Sequence, residues 1–311
     1  MALVDASPNF SRMALVSAGG WAPAHFVGRA LRWLWCKNRP VTFALAAVVG
    51  VVKIRQHQKR RERRRKWNEA GKDVVVLHMS RRGYSCPSLS PFVLKLETYL
   101  RMAEIPYQTD FEEPLGAKGK SPWVTLNGED LADSQLVIEW LGPKFGKNLS
   151  SHLAPQEKAV AHAFRVMLEE YFLWCLAMWR YVKERGRPVV ENMYLPMPLR
   201  LMMPLLVKNA VKATHAQGIG RHSHQDVEEM GRKCLHSLST WLGDKPFLTG
   251  DKPAEVDCSA FGTLAQVVWC SPNSPYLRML ESDFRNLYDY CHRMKEKLYP
   301  DWDQCLDNSK Q

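Results

Sequence analysis

The sequence predicts a small α+β domain built on a mixed sheet, followed by an all-helical domain, behind a basic N-terminal segment. Residues 73–150 alternate short apolar runs with helical patterns, whereas residues 151–304 hold helical patterns alone. The chain of 311 residues is long enough for two hydrophobic cores. A composition of 46% hydrophobic and 24% charged residues is globular and excludes a chain disordered throughout.

The net charge of +11 is concentrated near the N-terminus. Residues 1–72 hold 15 Lys and Arg against 3 acidic residues, whereas the rest of the chain holds 28 against 29. The body is therefore nearly neutral, which argues against a basic nucleic-acid-binding fold. The basic block also lacks interleaved aromatic residues, so the sequence predicts no nucleic-acid partner.

The N-terminal segment divides into a leader (1–33), a candidate membrane anchor (34–54) and a basic juxtamembrane linker (55–72). The uncharged run from Pro40 to Val52 covers only about 20 Å as a helix, against a hydrocarbon core of about 30 Å. With the residues back to 34 included, the anchor is long enough for a single pass. The basic residues at its start must then lie at one interface.

A dense positive flank follows the apolar run. Its members are Lys53, Arg55, Lys59, Arg60, Arg61, Arg63, Arg64, Arg65 and Lys66. Such a flank favours a cytosolic location for the downstream domains and attracts anionic head groups. We therefore expect a single-pass membrane protein with its folded domains in the cytosol, the mitochondrial outer membrane being one candidate. A mitochondrial transit peptide, an amphipathic surface helix and a nuclear-localisation-like tail stay open as alternatives.

The first domain begins with a predicted strand at 74–77, a helix after Ser90 and a second strand at 107–111. Ser90 followed by Pro91 is typical of an N-cap and a first helical turn. Apolar residues then recur at helical spacing, which predicts a face packed against the sheet.

The sequence of the second half of this domain predicts a hairpin followed by a helix. A Ser-Pro-Trp entrance opens a third strand at 121–126, and the Asn-Gly pair at 127–128 predicts a tight turn into a fourth strand at 129–131. Asp133 and Ser134 then offer an N-cap to the next helix.

Residues 151–304 form the predicted helical domain, and residues 305–311 a tail. Ser223 with Asp226 has the spacing of a capping box. The stretch 196–214 is rich in Met and Leu, and we expect it to belong to the core instead of a membrane surface.

The order strand, helix, strand, strand, strand, helix resembles the thioredoxin-like N-terminal domain of glutathione transferases. The helical domain resembles the C-terminal domain of the same family. The resemblance implies a ligand site formed by a cis Pro122 with Trp123 and by Asp133 with Ser134, which would receive the γ-glutamyl end of glutathione. A helix N-terminus suits a carboxylate, because its N–H groups lack partners. Glutathione is thus an implied ligand, although no cofactor is required.

Segments at 87–92, 94–103, 218–221, 264–266 and 300–302 more specifically resemble the failed axon connections family, relatives of the metaxins. This resemblance extends over about three quarters of the chain. It implies a membrane-tethered, non-enzymatic interaction protein with a role in axon development. Protein partners are expected, and a homodimer is a candidate.

Catalysis, if present, would use Cys86, Ser88 or Ser90. Cys86-Pro87 precedes the first helix, where glutaredoxins and omega-type glutathione transferases carry a Cys-Pro nucleophile, and a helix N-terminus lowers a thiol pKa. With Ser90 as the cap, however, Cys86 lies four residues outside the helix. Ser88 or Ser90 could instead steady a glutathione thiolate. The alternative to an interaction protein is therefore a glutathione-dependent transferase or thiol reductase.

The remaining chemistry-bearing residues form no recognisable site. The eight cysteines include no C-x-x-C pair, which favours buried free thiols in a reducing compartment. The histidines are not at repeated ligand spacing, and no metal site is predicted.

Overall fold

The protein is described here by a computed structural model that covers residues 39–308. The chain divides into two compact units, residues 1–64 and residues 65–311. The predicted leader (1–33), the first residues of the candidate anchor and the last three residues of the tail lie outside the described part.

In the first unit, helix α1 begins at Arg39 and continues to Asn68 in the second unit. It carries the whole predicted positive flank, so this part of the expected linker is helical. Most of the flank is exposed, with Arg63 and Arg64 partly covered. Between residues 39 and 308 no helix combines the length and the apolar character that a membrane crossing requires. The predicted single pass therefore lacks support in this part of the chain.

The second unit contains a four-stranded mixed sheet in the order β2-β1-β3-β4. Its strands are β1 (Val75–His78), β2 (Tyr107–Asp110), β3 (Trp123–Leu126) and β4 (Glu129–Ala132). β1 pairs parallel with β2 and antiparallel with β3, and β3 pairs antiparallel with β4. Helix α2 (Pro91–Met102) follows β1, and α3 (Ser134–Phe145) follows β4. The predicted thioredoxin-like order is confirmed.

The two faces of the sheet are covered differently. Apolar residues of α2 and α3 pack with Val75, Leu77 and Val124 on one face. On the other face Trp67, from the last turn of α1, packs with Val76 and Trp123. The folded body thus begins a few residues before the sheet.

The rest of the unit is helical, as predicted. Its helices are α4 (Pro155–Met167), α5 (Leu173–Ala177), α6 (Arg187–Asn192), α7 (Met197–Leu201), α8 (Met203–Gln217), α9 (His224–Leu242), α10 (Glu255–Val268), α11 (Pro275–Ser282) and α12 (Arg285–Leu298). The predicted capping box opens α9, where Ser223 Oγ accepts from the Asp226 N–H at 3.1 Å.

Two π-helical segments, Leu168–Phe172 and Met178–Lys183, extend the helical path that starts with α4. A π turn inserts an additional residue into the helical repeat and rotates the following side chains around the axis. Glu169 consequently faces inward and is buried, whereas its neighbour Glu170 is exposed. Of these two adjacent carboxylates, only that of Glu170 is open to solvent.

Helix α10 lies at the centre of the second unit, and nearly all of its residues are buried. It packs closely against α2, since a Cβ on Gly262 would approach Pro91 O to 2.6 Å. Asp257 caps this helix: its Oδ2 accepts from the Ala254 N–H at 2.8 Å and its Oδ1 from the Leu248 N–H at 3.0 Å.

The apolar stretch 196–214 differs from its prediction. It forms α7 and most of α8, and many of its Leu and Met side chains are exposed instead of belonging to the core. Only Met203 and Thr214 are buried in α8, because this helix presents just one narrow stripe to the body.

Candidate functional site

A cleft lies between the sheet domain and the helical domain within the second unit. Its two parts measure about 360 Å³ and about 460 Å³. Both parts are lined by Phe92, Lys120, Glu169 and Glu170, so they form one continuous cleft. The first part is lined mainly by polar residues from the loop before β3, from α3 and from α4, and the second by apolar residues around Trp174.

Pro122, Asp133 and Ser134, which the resemblance to glutathione transferases assigns to one ligand site, line the polar part together. The Ser121–Pro122 peptide bond is cis. Asp133 caps α3, and its Oδ1 accepts from the N–H groups of Gln135 at 3.0 Å and Leu136 at 3.3 Å. Its backbone has a φ of 97°, a conformation that is costly outside glycine and that often marks a ligand site.

Two hydroxyl groups at this end of the cleft lack protein partners within residues 39–308. Ser121 Oγ is buried without a hydrogen bond, and no hydrogen bond reaches Ser134 Oγ. Lys118 and Lys120 add positive charge at the rim. Free hydroxyls at a helix N-terminus beside two cations suit the carboxylate of a peptide ligand.

The Trp123 side chain does not reach the cleft, which corrects its predicted role in ligand binding. Successive residues of a strand point to opposite faces, and Trp123 faces away from Pro122. Its ring stacks on His78 with centroids 3.6 Å apart, and its Nε1 donates to Glu113 O at 2.8 Å. Trp67 packs on both rings, at centroid distances of 4.5 Å and 5.4 Å. Trp123 thus belongs to the core.

Cys86 lies in the interior instead of the cleft. Its side chain is fully buried, and burial raises the pKa of its thiol well above the usual value, with neighbouring Cys270 raising it further. A thiol held neutral and out of contact with solvent is a poor nucleophile. The structure therefore provides no support for the predicted catalytic role of Cys86.

The two serines have different positions. Ser88 is fully buried, and its Oγ accepts from the Ser90 N–H at 3.1 Å. Ser90 lines the cleft and caps α2 through a bond from the Val93 N–H to its Oγ at 3.4 Å. Of the three candidate nucleophiles, Ser90 alone lines the cleft.

A buried ion pair that the sequence did not reveal forms the floor of the cleft. Lys95 Nζ donates to Glu169 Oε1 at 2.6 Å and to Gln135 Oε1 at 2.7 Å. Ser259 Oγ also donates to Glu169 Oε1 at 2.7 Å, and Arg165 Nη1 reaches Oε2 at 3.3 Å. The available sequence signal was a lysine among the apolar residues of α2. This network joins α2 and α3 to the helical domain beneath the ligand space.

Arg180 is the second group that sequence reasoning missed. It lines the apolar part of the cleft, is 5% exposed, and contacts neutral oxygens such as Leu89 O and Ser271 Oγ at 3.4–3.5 Å. Its Nε is buried without a hydrogen bond, and within residues 39–308 no carboxylate pairs with it. A buried guanidinium without a counter-ion is costly, so this position suits an anionic ligand group.

Two parts of the chain match known domain families. Residues 91–186 match the glutathione S-transferase N-terminal domain, and residues 231–294 match the glutathione S-transferase C-terminal domain. Among solved structures, a glutathione S-transferase of Ceriporiopsis subvermispora in complex with glutathione has a TM-score of 0.53 at 15% identity, over 72% of this chain and 97% of that chain. That likeness shows the fold.

Three curated proteins illustrate the range of relatives. Failed axon connections of Drosophila melanogaster is 34% identical over 75% of this chain and 60% of its own length. An isoprene-epoxide glutathione S-transferase of Rhodococcus is 29% identical over 69% of this chain and 94% of its own length. Mouse Metaxin-2 is 24% identical over 67% of this chain and 82% of its own length. The chain therefore spans less than two thirds of the Drosophila relative.

Proposed function

This chain belongs to the glutathione transferase-like family that includes failed axon connections and the metaxins, and we propose that it is an interaction protein with a peptide-binding cleft, not a conjugating enzyme. One observation carries the proposal. The polar part of the cleft brings the Ser134 hydroxyl together with Pro122 and Asp133, whereas Cys86 and Ser88 are buried away from it.

Ligand binding and turnover make different chemical demands. Binding a γ-glutamyl group requires a donor at a helix N-terminus, and in α3 the Ser134 hydroxyl can provide it, since Asp133 already accepts from the N–H groups of Gln135 and Leu136. Turnover also requires a group that activates the ligand sulfur, and such groups typically contribute about 10²–10⁴ in rate. Ser90 is the hydroxyl near that position: its Oγ accepts the capping bond of α2, and its O–H can still donate, which makes Ser90→Ala the variant that tests for turnover.

Attachment to a membrane is the second part of the proposal. The positive flank of α1 is a cationic, largely exposed helix that would associate with anionic lipids on the cytosolic face. A further relative, from Arabidopsis thaliana and 22% identical over 73% of this chain, is named a mitochondrial outer membrane import complex protein, which supports that membrane and protein partners as candidates. The name of the Drosophila relative supports a role in axon development.

Calorimetry of the full chain with glutathione tests the cleft. We expect measurable binding of glutathione, and Ser134→Ala should weaken it. The control Ser237→Ala, which changes an exposed serine on α9, should leave glutathione binding unchanged. Conjugation of glutathione to a chloronitroaromatic electrophile should not exceed the uncatalysed rate. Absence of glutathione binding would overturn the proposed ligand.

A glutathione-dependent transferase is the second candidate, and Arg180 is the observation that favours it. Its unpaired guanidinium lines the same part of the cleft as Ser90, where it could stabilise a thiolate. The similarity to the Rhodococcus enzyme points in the same direction. Robust turnover lost in Arg180→Met or Ser90→Ala, with glutathione binding retained, would replace the interaction-protein proposal with this one.

A further inference from the structure

Helices α7 and α8 carry an apolar face that no described part of the chain covers. Its main members are Met197, Leu199, Leu201, Met202, Leu205 and Leu206, here called the α7–α8 face. Leu201 is 76% exposed, Met197 68% and Leu205 52%. Soluble monomers rarely leave large apolar patches open to water, so such a patch usually marks an interaction surface.

The α7–α8 face cannot be turned inward by a small rotation of α8. Met203 and Thr214 are buried, and Val207 and Ala210 between them are partly buried. This spacing of four, three and four residues defines the side of the helix that contacts the body. Turning Leu205 and its neighbours inward would remove that stripe from its contacts.

The charged side chains on the two helices of this face all have one sign. Residues 192–225 contain no Asp or Glu, while Arg200, Lys208 and Lys212 are exposed on the two helices. Lys208 and Lys212 are one turn apart and therefore share a side of α8. Exposed Leu and Met side chains bordered by Lys and Arg are typical of a helix that lies in a membrane interface.

We propose that the α7–α8 face is a membrane contact of the second unit, with its apolar side chains at the acyl boundary of an anionic phospholipid bilayer. The lysines and Arg200 would then pair with lipid phosphates. A second copy of the chain fits less well, because a two-fold interface places the same patch on both subunits. The local sequence provides no acidic residue to pair with the cations brought together there.

This inference goes beyond the attachment proposed for α1, because it assigns a separate surface in the second unit. A local reporter on α8 keeps the two distinguishable. All seven cysteines in the described part of the chain are buried, so a new surface cysteine can be labelled selectively in a Cys36→Ser background. Leu206→Cys with an environment-sensitive fluorophore reports insertion of the α7–α8 face, whatever α1 does.

The experiment mixes the labelled full chain with vesicles of phosphatidylcholine, alone or with phosphatidylserine. With the anionic vesicles we expect the emission of the fluorophore on Leu206→Cys to shift to shorter wavelength. The same fluorophore on Leu115→Cys should show no shift, since Leu115 is an exposed residue in the loop before β3. In vesicle pelleting, Leu201→Ser/Leu205→Ser should weaken binding about tenfold or more. The matched control Leu115→Ser should leave vesicle binding unchanged. Lys208→Gln/Lys212→Gln should make vesicle binding less sensitive to salt concentration.

Two results would overturn the proposal. One is a full chain that pellets with anionic vesicles while the label on α8 keeps its aqueous emission, which would leave attachment to α1 alone. The other is a concentration-dependent dimer, seen by sedimentation, that Leu206→Ser dissociates while the vesicles cause no shift. That outcome would assign the α7–α8 face to a second copy.

Discussion

At the scale of single residues, the cleft depends on a lysine and a glutamate that bury opposite charges together. Lys95 and Glu169 are 1% and 7% exposed, and their side chains are 2.6 Å apart. Removing one partner of a buried pair leaves the other charge without compensation in a poorly solvated place. Pairing with Glu169, together with the bond to Gln135, accounts for a lysine in the middle of the buried side of α2.

We predict that Glu169→Ala lowers the free energy of unfolding by about 3–5 kcal/mol, because it leaves Lys95 buried and unpaired. The neighbouring exposed Glu170→Ala should change it by no more than about 0.5 kcal/mol. Urea denaturation of both variants measures the difference. Lys95→Met/Glu169→Leu should recover part of the loss, since it removes both charges. Equal effects of the two single substitutions would contradict a buried role for Glu169.

At the scale of elements, α2 and α10 pack so closely that their contact leaves no room for a side chain. Gly262 allows it, because a Cβ there would lie 2.6 Å from Pro91 O and 2.9 Å from Lys95 N. Both are backbone atoms, so a rotamer change cannot relieve the clash. This contact fixes the start of α2, and with it Ser90, against the helical domain.

Gly262→Ala should therefore lower the free energy of unfolding by about 1–3 kcal/mol, the usual cost of overpacking. Gly142→Ala in α3 is the matched control, because its nearest neighbour would lie at an ordinary 3.4 Å. The control should be neutral or slightly stabilising, since alanine favours a helix over glycine. Thermal unfolding of both variants measures the two effects, and a Gly262→Ala variant as stable as the control would refute the close packing.

At the scale of the whole molecule, the boundary between the two units decides how the N-terminal segment can be removed. The second unit begins at Arg65, and Trp67 packs against His78 and Trp123. A truncation to residue 73 would expose that side of the sheet. A cut before residue 65 keeps the aromatic cluster complete.

Deleting residues 34–64 from the full chain should release it from membranes if the α1 flank is the main attachment. Cell fractionation measures the shift from the membrane pellet to the supernatant. High salt extracts a protein held by charge, because salt screens the flank, whereas resistance to both salt and alkaline carbonate would indicate insertion. A deletion variant that stays fully membrane-bound would refute α1 as the main attachment and direct attention to the α7–α8 face.

Features of this fold that depend on neighbouring residues can be predicted from the sequence. The order of strands and helices and the caps at Ser90, Asp133 and Ser223 were predicted and are present. The cis bond before Pro122, which the resemblance to glutathione transferases implied, is present as well. Caps, tight turns and the spacing of apolar residues are determined within a few positions of chain, so the residues themselves indicate them.

Which side of each helix or strand is covered could be learned only from the folded chain. The tertiary structure placed Cys86 in the interior, turned Trp123 away from the cleft, brought Glu169 to Lys95 and left the α7–α8 face open. The physical reason is that burial depends on partners distant in sequence. The sequence pattern of an apolar helix is the same whether or not another element covers that helix. A π turn changes the direction of a side chain, and no local sequence pattern indicates where it occurs.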